Sequence, residues 1–441
     1  MNFLNDNSRI IRILVGVSLA IMSVGTFLSA YLQQGYTETI SFFVRDGWCN
    51  QESQGIGAHC FGDFYAPMTI ASNSNPWSND LNLAYTPISF LYFRLLNSEI
   101  INDIGTHLSI FINLLFTFLA LSIPGLYIWK NQNNFQSVSG KWVLLICLTA
   151  APSLIMIDRG SSSFLMFPAV FFFYLGIQTS KYSLASWSLI LMGLWKPQSL
   201  ILAVGILIFF GIKPFVIALA KFVLIFSASF FLYPIGFFRN ILDYLENSSE
   251  YQNYLPIPTP GNYSLINFLG FLNGGINFVA HGFRDLRGSF RSPMDESVVS
   301  IFCAAYALLV ISLFLITRRK ISKFQFVIFS SAFMLTIPGT VYGYYLSLML
   351  IPLIVLSKEQ VTESLVHKEN RITWKLYCIL LFSSVPAWPV NWGNLPISIG
   401  DSWSTLGVHW SFVHVIVSVL VLVSMHQLLI LSFNKMAQSR E

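Results

Sequence analysis

Charged residues are scarce in this chain. Only 10% of its 441 residues are Asp, Glu, Lys or Arg, whereas 54% are hydrophobic. A water-soluble domain carries roughly 25% charged residues, so this sequence has too few ionic side chains to cover a water-facing surface of its size. The scarcity of charge excludes a soluble globular protein and favours an integral membrane protein.

Several motifs of soluble enzymes are missing as well. The chain has 5 Cys and 7 His, and their spacing does not resemble a zinc site. There is no glycine pattern of the Rossmann or P-loop type, which argues against a nucleotide site. The net charge of +5 is dispersed among short loops, so we expect no nucleic-acid partner. No obligatory cofactor is expected, and acidic residues in long loops leave a metal requirement open.

Long apolar runs are abundant, and in lipid such runs must be helices because every backbone amide needs a partner within the segment. A span needs roughly 20 apolar residues. We therefore predict an all-α polytopic membrane protein with one membrane domain over residues 1–441, in which the first apolar stretch is a retained span and not a signal peptide. The twelve predicted spans are 11–32, 104–129, 142–157, 163–180, 182–195, 198–212, 214–236, 296–317, 324–338, 340–357, 372–388 and 405–432.

The distribution of basic residues predicts the orientation. With both termini in the cytoplasm, about two thirds of the 25 basic residues fall on the cytoplasmic side, as the positive-inside rule requires. We expect a bacterial-type plasma membrane, with two long outer loops over 33–103 and 237–295. Within the first, Ala84–Leu96 is apolar but too short to span and is interrupted by Pro87, which predicts a re-entrant or interfacial helix.

Two of the five cysteines lie in the first outer loop. Cys49 and Cys60 are separated by ten residues and would form a disulfide in an oxidising compartment; two free thiols are the alternative. Cys147, Cys303 and Cys378 fall in predicted spans and are interpreted as packing residues.

A carboxylate in the first outer loop is the candidate catalytic base. Asp63 stands between Gly62 and two aromatic residues, Phe64 and Tyr65, next to the predicted lipid surface. A carboxylate in such a place can accept a proton from a substrate hydroxyl. An ordinary solvated acid is the alternative, and Asp46 is the rival carboxylate.

Two cations stand at predicted outer hairpins. Arg159 lies in Asp158-Arg159-Gly160-Ser161, where an arginine beside a glycine and hydroxyls suits a phosphate. The alternative is an interfacial pair with Asp158. Lys196 is disfavoured on the outer side by the positive-inside rule, so an anionic lipid head group is an attractive partner, with snorkelling to ordinary lipid as the alternative.

Polar residues in later segments complete the candidate site. Asn262 and Ser264 follow a proline-rich stretch and could bind sugar hydroxyls, or form a turn that re-enters the membrane. Tyr344, with Tyr342 and Tyr345, heads the tenth predicted span and is another candidate, although aromatic residues are common at membrane interfaces.

Taken in order, these landmarks resemble the GT-C superfamily of membrane glycosyltransferases, and most closely the branch that uses polyprenol-phosphate mannose, glycosyltransferase family 87. Two positions depart from the family pattern: Ser161 stands where Asn is frequent, and Tyr344 where many members carry His. The resemblance covers about residues 10–355 and rests on Asp63, Tyr65, Pro76-Trp77, Tyr85-Thr86-Pro87, Arg159-Gly160, Lys196-Pro197, Asn262 and Ser264.

The resemblance implies a GT-C-like helix arrangement with outer loop helices. It also implies an inverting transfer of a hexose, mannose above all, from a polyprenyl-phosphate donor to a glycan or glycolipid acceptor on the periplasmic or extracellular side. Asp63 would be the base, and Arg159, Lys196 and Tyr344 would bind the donor phosphate. The implied sugar or acceptor contacts are Tyr65, Tyr85, Ser161, Asn262 and Ser264.

Two other classes of protein stay open from the residues alone. A transporter or flippase for a lipid-linked or anionic solute would place charges near the bilayer midplane and show two related halves, whereas here only Lys221 falls deep in a span and no repeat is visible. A polysaccharide polymerase or ligase would rely on basic loop residues, which here are His59, His281, Arg284, Arg287 and Arg291.

Overall fold

The computed structural model describes most of the chain. The described ranges are 6–31, 62–78, 85–98, 106–132, 138–254, 264–280, 296–337, 343–356, 361–386 without 362, 365 and 367, and 403–438.

Helices are the only regular elements within those ranges, as the apolar composition predicted. Four short 3-10 turns, at Ser162–Leu165, Pro197–Leu202, Phe230–Leu232 and Gly343–Met349, join them. The α-helices are α1 (Asn7–Tyr31), α2 (Gly62–Ala71), α3 (Pro87–Leu96), α4 (Thr106–Lys130), α5 (Gly140–Thr149), α6 (Ala151–Asp158), α7 (Met166–Gln178), α8 (Tyr182–Trp195), α9 (Ala203–Phe210), α10 (Ile212–Ser229), α11 (Phe237–Tyr254), α12 (Leu265–Ala280), α13 (Glu296–Thr317), α14 (Lys323–Thr336), α15 (Leu350–Val355), α16 (Lys368–Ser384) and α17 (Trp403–Gln438).

Four helical stretches are long and apolar enough to cross a membrane: Asn7–Val24, Leu108–Lys130, Ile212–Leu232 and Val413–Ser432. They belong to α1, α4, α10 and α17. Several other apolar helices are shorter, such as α7, α8 and α14. The protein is therefore helical with several membrane-spanning candidates, and the count of twelve spans stays a prediction.

One predicted span, 142–157, is broken. Helices α5 and α6 meet at Ala150 with a bend of 58°, and together they would make a fifth span. Pro152 lies in the first turn of α6, where its missing N–H costs nothing. The backbone N–H of Ala151 donates instead to the carbonyl of Val385 at the end of α16, 2.7 Å away. The break is tolerated because a neighbouring segment satisfies the freed amide.

The structure corrects the interpretation of Pro87 as an interruption. Helix α3 begins at this proline, which occupies the first helical position, where its fixed φ is favourable. Thr86 is the N-cap, and its side-chain oxygen accepts a hydrogen bond from the backbone N–H of Ser89 at 3.3 Å. The apolar segment is thus one short helix of ten residues that starts at Pro87 and ends at Leu96.

Close helix contacts hold the bundle together. A Cβ on Gly125 of α4 would lie 2.6 Å from the backbone nitrogen of Leu144 in α5, and one on Gly176 of α7 would lie 2.6 Å from that of Ala185 in α8. Most helices share one large apolar core. A second, smaller core joins α2 and α3 to the end of α10, and residues of this core lie beside the candidate site.

Candidate functional site

Asp63 and Arg159 are joined at two points. The Arg159 Nη2 lies 2.8 Å from the Asp63 Oδ1, and the backbone N–H of Asp63 donates to the Arg159 carbonyl at 3.1 Å. The two side chains are only 15% and 19% exposed, respectively. Asp63 also lies in the first turn of α2, where the helix dipole favours a negative charge. The structure thus brings the predicted base and one predicted cation into direct contact.

In the turn that carries Arg159, Gly160 and Ser161 of the Asp-Arg-Gly-Ser motif have a structural role. Gly160 adopts φ +60°, a left-handed conformation that favours glycine. The N–H groups of Gly160 and Ser161 donate to the carbonyls of Ile157 and Met156, which is the hydrogen-bond pattern of a Schellman motif. The motif ends α6 and leaves Arg159 at the helix terminus.

A buried hydrogen-bond relay supports this turn from α4. The Nδ2 of Asn113 donates to the Gly160 carbonyl at 3.3 Å, and the Tyr92 hydroxyl donates to the Oδ1 of Asn113 at 2.7 Å. Asn113 is fully buried. Neither residue is predicted from the sequence. The signal that points to Asn113 is its position as the one amide side chain in the apolar sequence of α4.

Lys196, the second predicted cation, lies against an aromatic ring. Its Nζ is 4.9 Å from the ring centroid of Tyr85, a cation–π distance. The Tyr85 ring contacts Phe93 with centroids 5.7 Å apart, and Phe93 contacts Phe64 at 6.3 Å. Phe64 directly follows Asp63, so Lys196 and Arg159 both contact the small assembly formed by α2 and α3.

Helix α11 holds the loop between α2 and α3. The Asn75 Nδ2 donates to the Asp243 Oδ2 at 2.5 Å, and the Asn247 Nδ2 donates to the Trp77 carbonyl at 3.0 Å. The indole Nε1 of Trp77 in turn donates to the Tyr85 carbonyl at 2.9 Å. These bonds connect the second predicted loop to the first, so both long loops contribute to one assembly, which we call the site end of the protein.

Aromatic rings surround Trp77 and exclude water from its indole, which is 2% exposed. The ring centroids of Tyr233 and Tyr244 lie 4.9 and 6.2 Å from that of Trp77. Burial raises the pKa of the Tyr244 phenol above its ordinary value, so this side chain stays neutral over the physiological range.

Three other predicted sugar contacts differ in their surroundings. Tyr65 is exposed on α2. Ser161 is buried, and its Oγ accepts from the Ser163 N–H at 3.3 Å. Ser264 is also buried and caps α12, with its Oγ 3.3 Å from the Asn267 nitrogen. The proposed sugar contacts of these residues stay predictions.

Of the three tyrosines at the tenth predicted span, Tyr345 is the one whose side chain the structure describes, and it directly follows the predicted phosphate ligand Tyr344. Tyr344 belongs to the 3-10 turn Gly343–Met349, and its side chain lies outside the described part. Tyr345 next to it accepts a hydrogen bond from the Ser163 Oγ at 3.4 Å, close to the Arg159 turn in sequence. Outside the described residues lie Cys49, Cys60, Asp46 and Asn262.

Metal ligands do not cluster in the part of the chain that the structure describes, where no group of three or more His, Cys, Asp or Glu side chains could hold an ion. The charged groups that the sequence analysis singled out at the site end are the Asp63 carboxylate, the Arg159 guanidinium and the Lys196 ammonium, next to a second ion pair formed by Arg239 and Asp243. Compared with protein-family models and with curated proteins, the sequence gives no match in either case, so membership of the GT-C superfamily stays a prediction.

Proposed function

We propose that the protein is a membrane glycosyltransferase. It transfers a hexose, with mannose as the first candidate, from a polyprenyl-phosphate sugar to a lipid-linked or envelope glycan, with inversion, on the non-cytoplasmic side of the plasma membrane. The observation that supports this proposal best is the contact between Asp63 and Arg159. In this contact the residue proposed as proton acceptor lies beside the residue proposed as phosphate ligand.

In the proposed mechanism Asp63 activates the acceptor. Its carboxylate takes the proton of an acceptor hydroxyl while the oxygen forms a bond to the anomeric carbon. The bond from that carbon to the phosphate oxygen breaks on the opposite face, and its electron pair leaves with the lipid phosphate. One displacement of this kind inverts the anomeric configuration.

The ion pair imposes an order of events on this mechanism. The Arg159 guanidinium binds one of the two carboxylate oxygens of Asp63, so this oxygen becomes available as a proton acceptor only when that contact loosens. A donor phosphate supplies a competing anion for Arg159, and guanidinium binds phosphate well. Donor binding therefore frees the base, and hydroxyl activation follows donor binding.

The two cations stabilise the leaving group. Negative charge grows on the phosphate as its bond to the sugar breaks, so a fixed cation stabilises the transition state more than the ground state. Lys196 rests on the Tyr85 ring, a contact that holds the ammonium in place while leaving N–H donors for a phosphate. Arg159 and Lys196 approach the α2–α3 assembly from different hairpins and so can contact different phosphate oxygens.

The test is a transfer assay with purified protein in lipid nanodiscs. Radiolabelled polyprenyl-phosphate mannose is supplied with a panel of glycolipid acceptors, and Asp63→Asn is compared with wild type. Loss of a general base lowers the rate by about 10²–10⁴-fold. Asp243→Asn is the matched control, because Asp243 is also a carboxylate paired with an arginine, Arg239, at 2.8 Å, and the amide oxygen of asparagine can still accept a hydrogen bond from Asn75. We expect this control to retain most of the wild-type rate.

Each outcome of the assay is informative. Equal transfer by wild type and Asp63→Asn would move the base elsewhere, with Asp46 the next candidate. Failure of folded wild-type protein to use any polyprenyl-phosphate sugar would refute the donor class. The transporter alternative would then be tested by solute flux in proteoliposomes.

A further inference from the structure

Three polar residues lie on the face of helix α11 that packs against the protein. Asn240, Asp243 and Asn247 are all buried there, at 0%, 5% and 3% exposure. The Asn240 Nδ2 donates to the carbonyls of Phe230 and Tyr233, both at 3.1 Å. Asp243 and Asn247 bind the loop between α2 and α3, as described above. Hydrogen bonds of these three side chains therefore hold the inner face of the helix, together with the packing of the Tyr244 ring against Trp77.

The outer face of the same helix is apolar. Phe238, Leu242 and Leu245 are exposed by 79%, 60% and 57%. Their spacing of four and three residues puts them on one side of a helix, at about 100° per residue. The same rotation places this side opposite Asn240 and Asn247. A helix that exposes three large apolar side chains while it buries three polar ones does not have the polarity expected for a helix in water.

The apolar stripe continues the lipid-facing surface of a candidate span. Helix α10 exposes Leu224 by 71%, and the segment that follows exposes Phe231 by 71% and Ile235 by 44%. The Phe231 ring stacks on Phe237, at the start of α11, with centroids 4.5 Å apart. Whatever covers the exposed residues at the end of the span Ile212–Leu232 also reaches the start of α11.

Charged side chains border the stripe. Arg239 and Glu246 are both exposed and follow Phe238 and Leu245 directly, so each is rotated by about 100° from the stripe. A band of apolar residues with charges at its margin is typical of helices that lie at the boundary between acyl chains and head groups.

We propose that α11 is an interfacial helix whose Phe238, Leu242 and Leu245 side chains insert among the acyl chains of the leaflet at the site end. The occupant of this surface is membrane lipid. Because the inner face binds Asn75 and the Trp77 carbonyl, the helix also sets the depth of the α2–α3 loop relative to the bilayer. This inference does not depend on the proposed transferase activity.

Photocrosslinking to lipid tests the proposal in the full-length protein. The photoreactive residue p-benzoylphenylalanine replaces Leu242 or Leu245, one position at a time, in nanodiscs that contain tritiated phosphatidylcholine. Leu224 of α10 is the positive control, and the exposed Ser74 in the polar loop after α2 is the negative control. After illumination, the label that is covalently bound to the protein is counted. Replacement of Phe238 provides a further variant, in which the phenylalanine ring is kept and a benzoyl group is added to it.

We expect labelling at Leu242 and Leu245 that approaches the level at Leu224 and exceeds that at Ser74 by roughly fivefold or more, since acyl chains are the abundant neighbour of an inserted side chain. Labelling at the level of Ser74 would overturn the proposal and place the stripe in water. A covalent dimer of this chain in place of lipid labelling would also overturn it, because a second copy would then be the occupant.

Discussion

At the scale of single residues, the candidate site depends on side chains that belong to different helices. Asp63 and Arg159 are 96 positions apart, and the sequence suggested Asp158 as an alternative partner for Arg159. The contact with Asp63 arises because a Schellman turn presents Arg159 at the end of α6, beside the first turn of α2. Gly160 makes this turn possible, and the turn orients the Arg159 guanidinium.

Asn113 is expected to be a positioning residue for Arg159. Asn113→Leu keeps the approximate volume but leaves the Gly160 carbonyl and the Tyr92 hydroxyl without this partner. An unsatisfied buried group costs about 1–3 kcal/mol, so we expect a lower thermal midpoint. If the turn relaxes, transfer at saturating donor also falls, roughly tenfold or more, because small misplacements of a charged group are costly in catalysis.

Tyr92→Phe is the matched control for this prediction. It removes one hydrogen bond of the relay and keeps the bond between Asn113 and Gly160. The expected loss of stability is about 1–3 kcal/mol, because the buried Asn113 Oδ1 loses its partner, with transfer near the wild-type rate. If Tyr92→Phe and Asn113→Leu lowered transfer equally, the Asn113 contact to Gly160 would have no special importance.

The sequence identified the charged members of this site but not their supports. Asp63, Arg159 and Lys196 stood out because charge is rare in this chain and must have a reason in or near lipid. Tyr92 and Asn113 did not stand out, since nothing local says that a tyrosine on one helix reaches an amide on the next. Contacts of this kind are fixed only by tertiary packing.

At the scale of helices, the surroundings of two glycines predict opposite effects of an alanine substitution on stability. A Cβ on Gly125 would lie 2.6 Å from the backbone of Leu144, closer than real Cβ atoms approach backbone, whereas a Cβ on Gly16 of α1 would meet no atom of the described residues within 4 Å. Gly125→Ala must therefore push α4 and α5 apart, at a cost of about 1–3 kcal/mol. Gly16→Ala adds helix propensity and gains about 0.5–1 kcal/mol.

Thermal unfolding of the two variants in the same detergent measures this difference. The midpoint should fall for Gly125→Ala and stay unchanged or rise for Gly16→Ala. A decrease of equal size in both variants would show that the contact between α4 and α5 is not tight and that glycine matters here for another reason.

The helical class was predictable from composition, whereas helix ends were not. Lipid leaves the backbone no alternative to internal hydrogen bonds, so apolar runs had to be helices. The break at Ala150 and the start of α3 at Pro87 depend on where proline falls within the first turn. The donor that remains at the break, the N–H of Ala151, finds its acceptor only in the distant residue Val385.

At the scale of the whole molecule, the exposed apolar residues on the outer face of α11 and the scarcity of charge in the chain have the same cause. Both follow if lipid, and not water, covers most of the surface. The sequence predicted a membrane protein from its average composition, but it placed α11 only within a long polar loop. Its apolar stripe becomes visible once the burial of Asn240, Asp243 and Asn247 shows which face is turned inward.

The orientation in the membrane gives the last prediction. An odd number of predicted spans separates Ser74, at the site end, from Lys320, in the basic hairpin before α14, provided that α3 does not cross the membrane. Both side chains are exposed. In bacterial cells that express Ser74→Cys or Lys320→Cys, a membrane-impermeant maleimide should label the first variant from outside. It should label the second only in inverted vesicles, where the cytoplasmic face is accessible.

Wild-type protein measures labelling of the native cysteines, which includes Cys49 and Cys60 if these are free thiols. Labelling of both variants from the same side would mean that the number of crossings between them is even. The first segment to reassign would then be α3, which would have to be counted as a span despite its ten residues.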